Sequence, residues 1–468
     1  LRESFLSSAT LSDFKLSASS GQFLERSLEQ RTKFDWVALH KSHVERLAKA
    51  WDVQLDDLGV DTLVIHSGQA SLKYSLDDQH WPFVSTPHFS HWLPLHGQRA
   101  LLVVKAGQAP KLYMEKHDSF WDSPAALSQN WSRESFEIHE VARLDELRMT
   151  QTSAFIGDDL KLASKIGILP ENCNTSEIMS RADFLRTLKS DFEVASIHVA
   201  NETAARGHKA VKELFENTDA SEFDLHLAYL QATGQTEFGL PYGNIVALGS
   251  HCAVLHHVDY GRGSARRHES MLLDAGASFN GYASDVTRTW IKGNGSDVEI
   301  FQQMIRGVDA AQRKLVASVK VGALYEDLHN SAHYLLADVL SSAGIIRCSS
   351  EAAVNSGLTR VFFPHGLGHS LGLQVHDVGM KTKKPSGQNK FLRNTSEMTQ
   401  GQVVTIEPGL YFIPSLLREA LASTHGSSID KTQVERLSQF GGIRIEDDIL
   451  ATQTGPVNLS VSSPRIRN

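Results

Sequence analysis

The sequence predicts an α/β protein of two domains, and three observations carry that prediction. A chain of 468 residues exceeds the size at which one hydrophobic core usually divides. Short apolar runs at 62–66, 100–105, 111–114 and 154–156 have the length and composition of strands and follow a helical periodicity. In the second half an Asn280-Gly281 pair separates two β-patterned runs, the strongest short hairpin signal.

In chain order, residues 1–37 are serine-rich and polar with mixed charge, lack the apolar core of a secretory signal, and have no assigned role. Residues 36–58 read as an amphipathic helix that, with the four apolar runs, makes a small α/β domain over 38–188. A polar, helical stretch at 176–188 links the halves. Ser190-x-x-Glu193 is a capping box, in which side chains satisfy backbone donors at a helix start, and predicts a long helix to about Phe215. Helices near 222–233, 297–318 and 325–343 then alternate with strands in a catalytic domain over 189–460. The polar segments 381–400 and 418–439 read as insertions between strands, suited to lids or oligomer contacts. No internal repeat or low-complexity tract is present.

Composition excludes several classes of function. A net charge of −8 and a pI near 6.3 give no basic footprint for nucleic acid or an anionic membrane. No apolar run approaches the length of a membrane span. Cys173, Cys252 and Cys348 form neither a disulfide framework nor a CxxC motif, which points to a reducing, cytoplasmic setting. Cys252 is expected to be a small buried hydrophobe.

The chemistry lies in Asp274, Asp285, His369, Glu407 and Glu446. Four carboxylates and one imidazole are an oxygen-rich set suited to hard divalent ions such as manganese, whereas zinc leans on more histidine or cysteine. Nowhere else is the sequence so rich in ligands. With a two-residue turn at Asn280-Gly281, Phe279 faces Tyr282 and Gly276 faces Asp285. Asp274 is then diagonal to Asp285 on the same face, about 7–8 Å away at the backbone. Glu407 precedes a proline, which biases it to extended backbone at a strand end. Glu446 shares a strand face with Arg444, opposite Ile443 and Ile445. His369 lies in a glycine-rich stretch with His365, so the two are not a helical metal pair; His376 follows. Taken singly, each signal has a plainer reading as solvated carboxylates or a satisfied histidine. Their conjunction favours a metal site. The glycines at 366, 368 and 372 miss the spacing of a nucleotide-binding loop.

The motifs Pro-Tyr-Gly-Asn-Ile-Val-Ala-Leu at 241–248, the 274–290 hairpin, Pro-His-Gly-Leu-Gly-His at 364–369, Thr-Ile-Glu-Pro-Gly-Leu-Tyr at 405–411 and the 441–447 strand make the chain resemble the pita-bread metallopeptidases. Within them it is most similar to the bacterial prolidases, or Xaa-Pro dipeptidases, of the organophosphorus acid anhydrolase type. The resemblance spans most of 190–450 and, more weakly, 40–185, including Leu-Asp-Asp-Gln-His-Trp-Pro-Phe at 76–83. Met380 departs from the second glycine usual after Val-His-Asp-Val-Gly.

The resemblance implies a creatinase/aminopeptidase-like pita-bread catalytic domain after the small α/β domain, holding two divalent ions, most suitably manganese. Asp285 and Glu446 would bridge them, Asp274 would hold the second, and His369 with Glu407 would complete the first. It further implies a bridged hydroxide as nucleophile, Glu407 as proton acceptor, and His365 and His376 at the oxyanion. Arg444, helped by His256, would hold the substrate carboxylate. Tyr242 and Tyr325 would line the pocket, with Asp78 lent by a neighbouring subunit, hence a homodimer. The implied activity is cleavage of dipeptides ending in proline, with side activity on organophosphorus triesters and fluoridates. An aminopeptidase P-like enzyme and a metal-free binding module of the same fold are the alternatives.

Overall fold

The computed structural model describes residues 34–95, 97–116, 130–264, 269–379 and 383–461. They form two compact units that divide between Ala195 and Ser196. Most of residues 1–37, and Met380, lie outside the described residues.

The first unit opens with the helix Trp36–Leu58, whose start is fixed by the Asp35 carboxylate accepting from Ala38 N–H and whose end is a left-handed Gly59. One stripe, including His43, Val44, Leu47, Trp51 and Leu55, is buried. The sheet has the order β4-β3-β2-β1-β5, formed by β1 Thr62–His66, β2 Ala100–Lys105, β3 Lys111–Glu115, β4 Glu137–Val141 and β5 Ser153–Ile156. β1 is buried throughout, which explains its unbroken apolar run. β4 escapes sequence detection because it is a half-exposed edge whose Glu-Ile-His-Glu-Val alternation contains no apolar run.

The helix Asp191–Asn217 begins as predicted: Ser190 N–H donates to Glu193 Oε2 at 2.8 Å, and Glu193 N–H donates back to Ser190 Oγ at 3.4 Å. In the second unit β6 Ile245–Leu248, β7 Glu269–Asp274 and β10 Thr287–Lys292 form one antiparallel sheet in the order β10-β7-β6. The turn between β7 and β10 carries a short hairpin, β8 Ser278–Phe279 with β9 Tyr282–Ala283. β11 Val403–Ile406, β14 Asp447–Thr452 and β15 Gly455–Asn458 form a second sheet, and β12 Gly409–Tyr411 pairs with β13 Gly442–Arg444. The helices Ser296–Ala317 and Tyr325–Ser342 bury Phe301, Ile305, Leu336 and Leu340 in one core with Ile406, Ile443, Ile445 and Ile449.

Residues 418–439 lie between β12 and β13, as expected of an insertion, but they also build core: the helices Pro414–Ala422 and Lys431–Leu437 contribute Ala420, Val434 and Leu437, and the residue Ile429 between them is buried with these. So few apolar residues spread over two short amphipathic helices look polar in sequence. Among the described residues, no helix is long and apolar enough to cross a membrane.

Candidate metal centre

The Asn280-Gly281 turn has φ of 50° and 78°, the two positive values that a tight hairpin turn of the primed type needs. Phe279 pairs with Tyr282 and Asp274 with Thr287, so Asp285 is diagonal to Asp274 as the turn predicts. Gly276 lets the strands close up, since a Cβ there would run into the Ser284 carbonyl. The Tyr242 hydroxyl lies 2.8 Å from Asp274 Oδ1 and 2.6 Å from Asp285 Oδ1, so one proton is shared between two acceptors.

An isolated bridge from Thr287 to Glu446 brings the third carboxylate to the same place, and Thr287 Oγ1 donates to Glu446 Oε2 at 2.6 Å. Glu407 follows β11, its N–H donating to Leu367 O at 2.9 Å. That bond and the one from Thr405 N–H to His369 O lay the 367–369 stretch beside β11 as extended chain. Gly368 permits the approach, because a Cβ would collide with Thr405 O. His369 Nδ1 donates to Ser370 O at 3.1 Å, which turns Nε2 towards Asp285 Oδ2 at 3.4 Å and Glu407 Oε1 at 3.7 Å. Asp285, His369 and Glu446 each offer a ligand atom within 4.8 Å of the others.

Burial and the neighbouring carboxylates raise Asp285, raise Glu446 well above the ordinary carboxylate range, and push Glu407 up to about 7. For His369 burial acts downward, but Asp285 and Glu407 outweigh it and hold the imidazole up to about 9. Four carboxylates are thus gathered around the Arg444 guanidinium and the His369 imidazole in a buried cluster. Such an excess of negative charge fits divalent cations, and the Nδ1–H···O=C bond leaves His369 Nε2 as the donor.

All five residues line one cavity of about 780 Å³, together with His256, His365, His376 and Arg444. The other expected pocket residues stand elsewhere. Tyr325 is fully buried with its hydroxyl donating to Thr405 O at 2.7 Å, and Tyr242 sits behind the two aspartates; neither lines the cavity. Asp78 is exposed in the first unit. His365 has both ring nitrogens engaged: Nδ1 donates to Gly366 O at 2.8 Å and Nε2 accepts from the Tyr411 hydroxyl at 2.9 Å. Burial and Arg444 hold it near 3, hence neutral. His376 stacks edge-on against His369 with 4.4 Å between ring centroids, and burial lowers it to about 4. It has no hydrogen-bond partner among the described residues, so of the two histidines expected at the oxyanion it alone keeps a free nitrogen.

The Arg444 guanidinium is heavily committed. Its NH2 donates to Asp274 Oδ2 at 2.6 Å, its NH1 to the Tyr411 hydroxyl at 2.9 Å and its Nε to Thr287 Oγ1 at 3.1 Å. Arg393, which no sequence motif singles out, is an exposed residue between buried Leu392 and Asn394; it lines the cavity and forms no hydrogen bond or ion pair among the described residues. Its only signal in sequence was a place in a polar segment. Equally unforeseen is a buried polar layer beneath Asp285 and Glu446. Arg288 donates to Glu446 O at 2.6 Å and to Asp447 Oδ1 at 2.7 Å, while Asp448 Oδ2 accepts from Asp285 N–H at 3.0 Å and from Asn201 at 2.8 Å. These bonds fix the backbone that carries Asp285 and Glu446.

With this site in place, comparison with known proteins gives the class: the chain matches the model of metallopeptidase family M24 over residues 195–453, and it belongs to that family. Residues 38–184 match the N-terminal domain of Xaa-Pro dipeptidase. The Xaa-Pro dipeptidase of Xanthomonas campestris pv. campestris (strain B100) is 39% identical over 438 residues, 90% of this chain and 97% of the relative. That of Pseudoalteromonas translucida (strain TAC 125) is 37% identical over 439 residues, 91% of this chain and 98% of its own. Among solved structures, Pseudomonas aeruginosa aminopeptidase PepP superposes with a TM-score of 0.71 at 20% identity over 91% of this chain and 96% of its own. The low-pH form of Escherichia coli aminopeptidase P gives 0.72 at 20% over 93% and 97%. The expected fold, a small α/β domain followed by a pita-bread domain, is the one found.

Proposed function

We propose that this protein is an Xaa-Pro dipeptidase that uses two divalent ions, most suitably manganese, held by Asp274, Asp285, His369, Glu407 and Glu446 in a catalytic part spanning 189–460. The observation that carries this reading is the convergence of those five side chains with an uncommitted guanidinium, Arg393, on one cavity. The names of the full-length relatives support it. When bound, such ions supply Lewis acidity and lower the pKa of water towards neutrality.

The chain's own residues supply the rest. Glu407, on the cavity wall, accepts a proton from the attacking water and passes it to the proline nitrogen as the C–N bond breaks. His376 donates to the carbonyl oxygen as it gains charge. A guanidinium with a free planar edge suits the terminal carboxylate, and Arg393 meets that need better than Arg444, whose donors hold Asp274, Tyr411 and Thr287. His256 stands on the same cavity wall. His365, tied to Tyr411, positions Arg444 through that hydroxyl.

A homodimer with Asp78 reaching a neighbouring pocket, a cytoplasmic setting consistent with three free thiols, and an incidental organophosphorus acid anhydrolase activity belong to the same proposal. The alternative, an aminopeptidase P-like enzyme, takes longer chains. Hydrolysis of Leu-Pro and of Leu-Pro-Gly by manganese-loaded protein separates the two. Preference for the dipeptide is expected; equal or better turnover of the tripeptide overturns the dipeptidase reading.

A further inference from the structure

We propose that Glu222, His251 and His257 form an additional divalent-cation site, of the zinc class, on the loop that carries His256 into the cavity wall. Glu222 opens the helix Glu222–Thr233, whose start is fixed by a reciprocal Ser221 and Asp224 capping box. Its carboxylate is buried and faces both ends of the loop that follows β6. Leu248 N–H donates to Oε1 at 2.8 Å and Gly261 N–H to Oε2 at 2.7 Å. These two backbone bonds hold the carboxylate in one orientation. On to it converge His251 Nδ1, 2.7 Å from Oε1, and His257 Nε2, 2.9 Å from Oε2.

The two imidazoles are neighbours, with ring centroids 4.5 Å apart, and all three residues offer ligand atoms within 4.8 Å of one another. Each ring nitrogen now meets the carboxylate through a proton. A divalent cation can take the place of those two protons, each of which moves through solvent to the other nitrogen of its own ring, so that neutral imidazoles and the carboxylate oxygens stay as donors. Two imidazoles and one carboxylate are a donor set of open zinc sites. The set is softer than the oxygen-rich active centre, so the two sites would sort metals differently. Entry is available from the side of His251, whose side chain is 51% exposed.

A second buried group, His43, His91 and Glu193, shows what such a cluster looks like when it is already neutralised: Arg46 lies 3.0 Å from the Glu193 carboxylate. No lysine or arginine forms an ion pair with Glu222 among the described residues. Leu255 and His256, on the same loop, line the active-site cavity. A cation held by Glu222 therefore ties both ends of a segment that shapes the substrate pocket.

The test counts divalent ions in manganese-loaded protein after incubation with zinc and gel filtration, for wild type, His251→Ala and His257→Ala. Wild type is expected to retain about one ion more per chain than either variant. Counting the difference keeps the result independent of how many ions the active centre holds. Because His251 is half exposed, its variant should fold, which an unchanged melting temperature without zinc verifies. As a second readout, zinc should slow amide exchange across residues 249–261 in wild type and not in His251→Ala. Equal ion counts in wild type and variants, or exchange that zinc leaves unchanged in wild type, would overturn the proposal.

Discussion

The Arg444 guanidinium lies 2.6 Å from Asp274 Oδ2, with 5% and 12% of the two side chains exposed. A residue expected to hold substrate is thus paired with an expected metal ligand. Deleting one partner of a buried pair leaves the other charge without compensation, at a cost of about 3–5 kcal/mol. Arg444→Ala should therefore destabilise the chelated protein by that amount. It should cost clearly less in the manganese-loaded protein, where a cation faces Asp274. Urea unfolding of both forms measures this, and an equal loss in the two would contradict the pairing as the source.

Arg393→Ala should behave differently. If its guanidinium binds the terminal carboxylate, the loss of a charged hydrogen bond raises KM for Leu-Pro by about 10- to 100-fold. Metal content and stability should remain those of the wild type. A variant with an unchanged KM would remove Arg393 from the carboxylate site and return the task to Arg444.

Much of this site was legible because its signals are local. The Asn-Gly turn fixed the hairpin register, and the register alone placed Asp274 diagonal to Asp285. The proline after Glu407, the Ser190 to Glu193 box and the Ile443 and Ile445 alternation were equally local. Partnerships between distant segments were not readable. Nothing in sequence tells that Arg444 will spend its donors on Asp274 and Tyr411, that Tyr325 will turn to Thr405, or that Glu222 will meet His251 and His257. The edge strand Glu137–Val141 was missed for another reason: half-exposed and charged, it carries no apolar signature.

Acid should weaken the first unit through His40. The side chain is fully buried, and burial lowers it from 6.5 to about 4, with the ring bonded to Trp92 O and Ser135 Oγ. Because the folded value lies below the unfolded one, the unfolded chain takes up its proton first as pH falls. Stability should decline from about pH 6.5 to about pH 4, by up to ~3 kcal/mol from this group, and no further below that. His40→Gln, which keeps a donor for Trp92 O, should flatten the decline over that window. Parallel stability curves for the two proteins would show that His40 is not responsible.

The organophosphorus reaction should follow the same machinery. A tetrahedral phosphorus centre with a good leaving group resembles the peptide-bond intermediate, so manganese-loaded protein should hydrolyse diisopropyl fluorophosphate above the chelated background. Glu407→Gln should lower that rate along with Leu-Pro hydrolysis. No rate above background removes the side activity. A rate that survives Glu407→Gln shows that this glutamate is not the shared proton acceptor.

The central claim, that five side chains on one cavity make a two-metal Xaa-Pro dipeptidase, is tested most directly by titrating manganese into chelated protein while following Leu-Pro hydrolysis. Activity should be absent at the start, rise with added ion and level off at about two equivalents per chain. Full Leu-Pro hydrolysis in the chelated protein, or none at any manganese concentration, would contradict it.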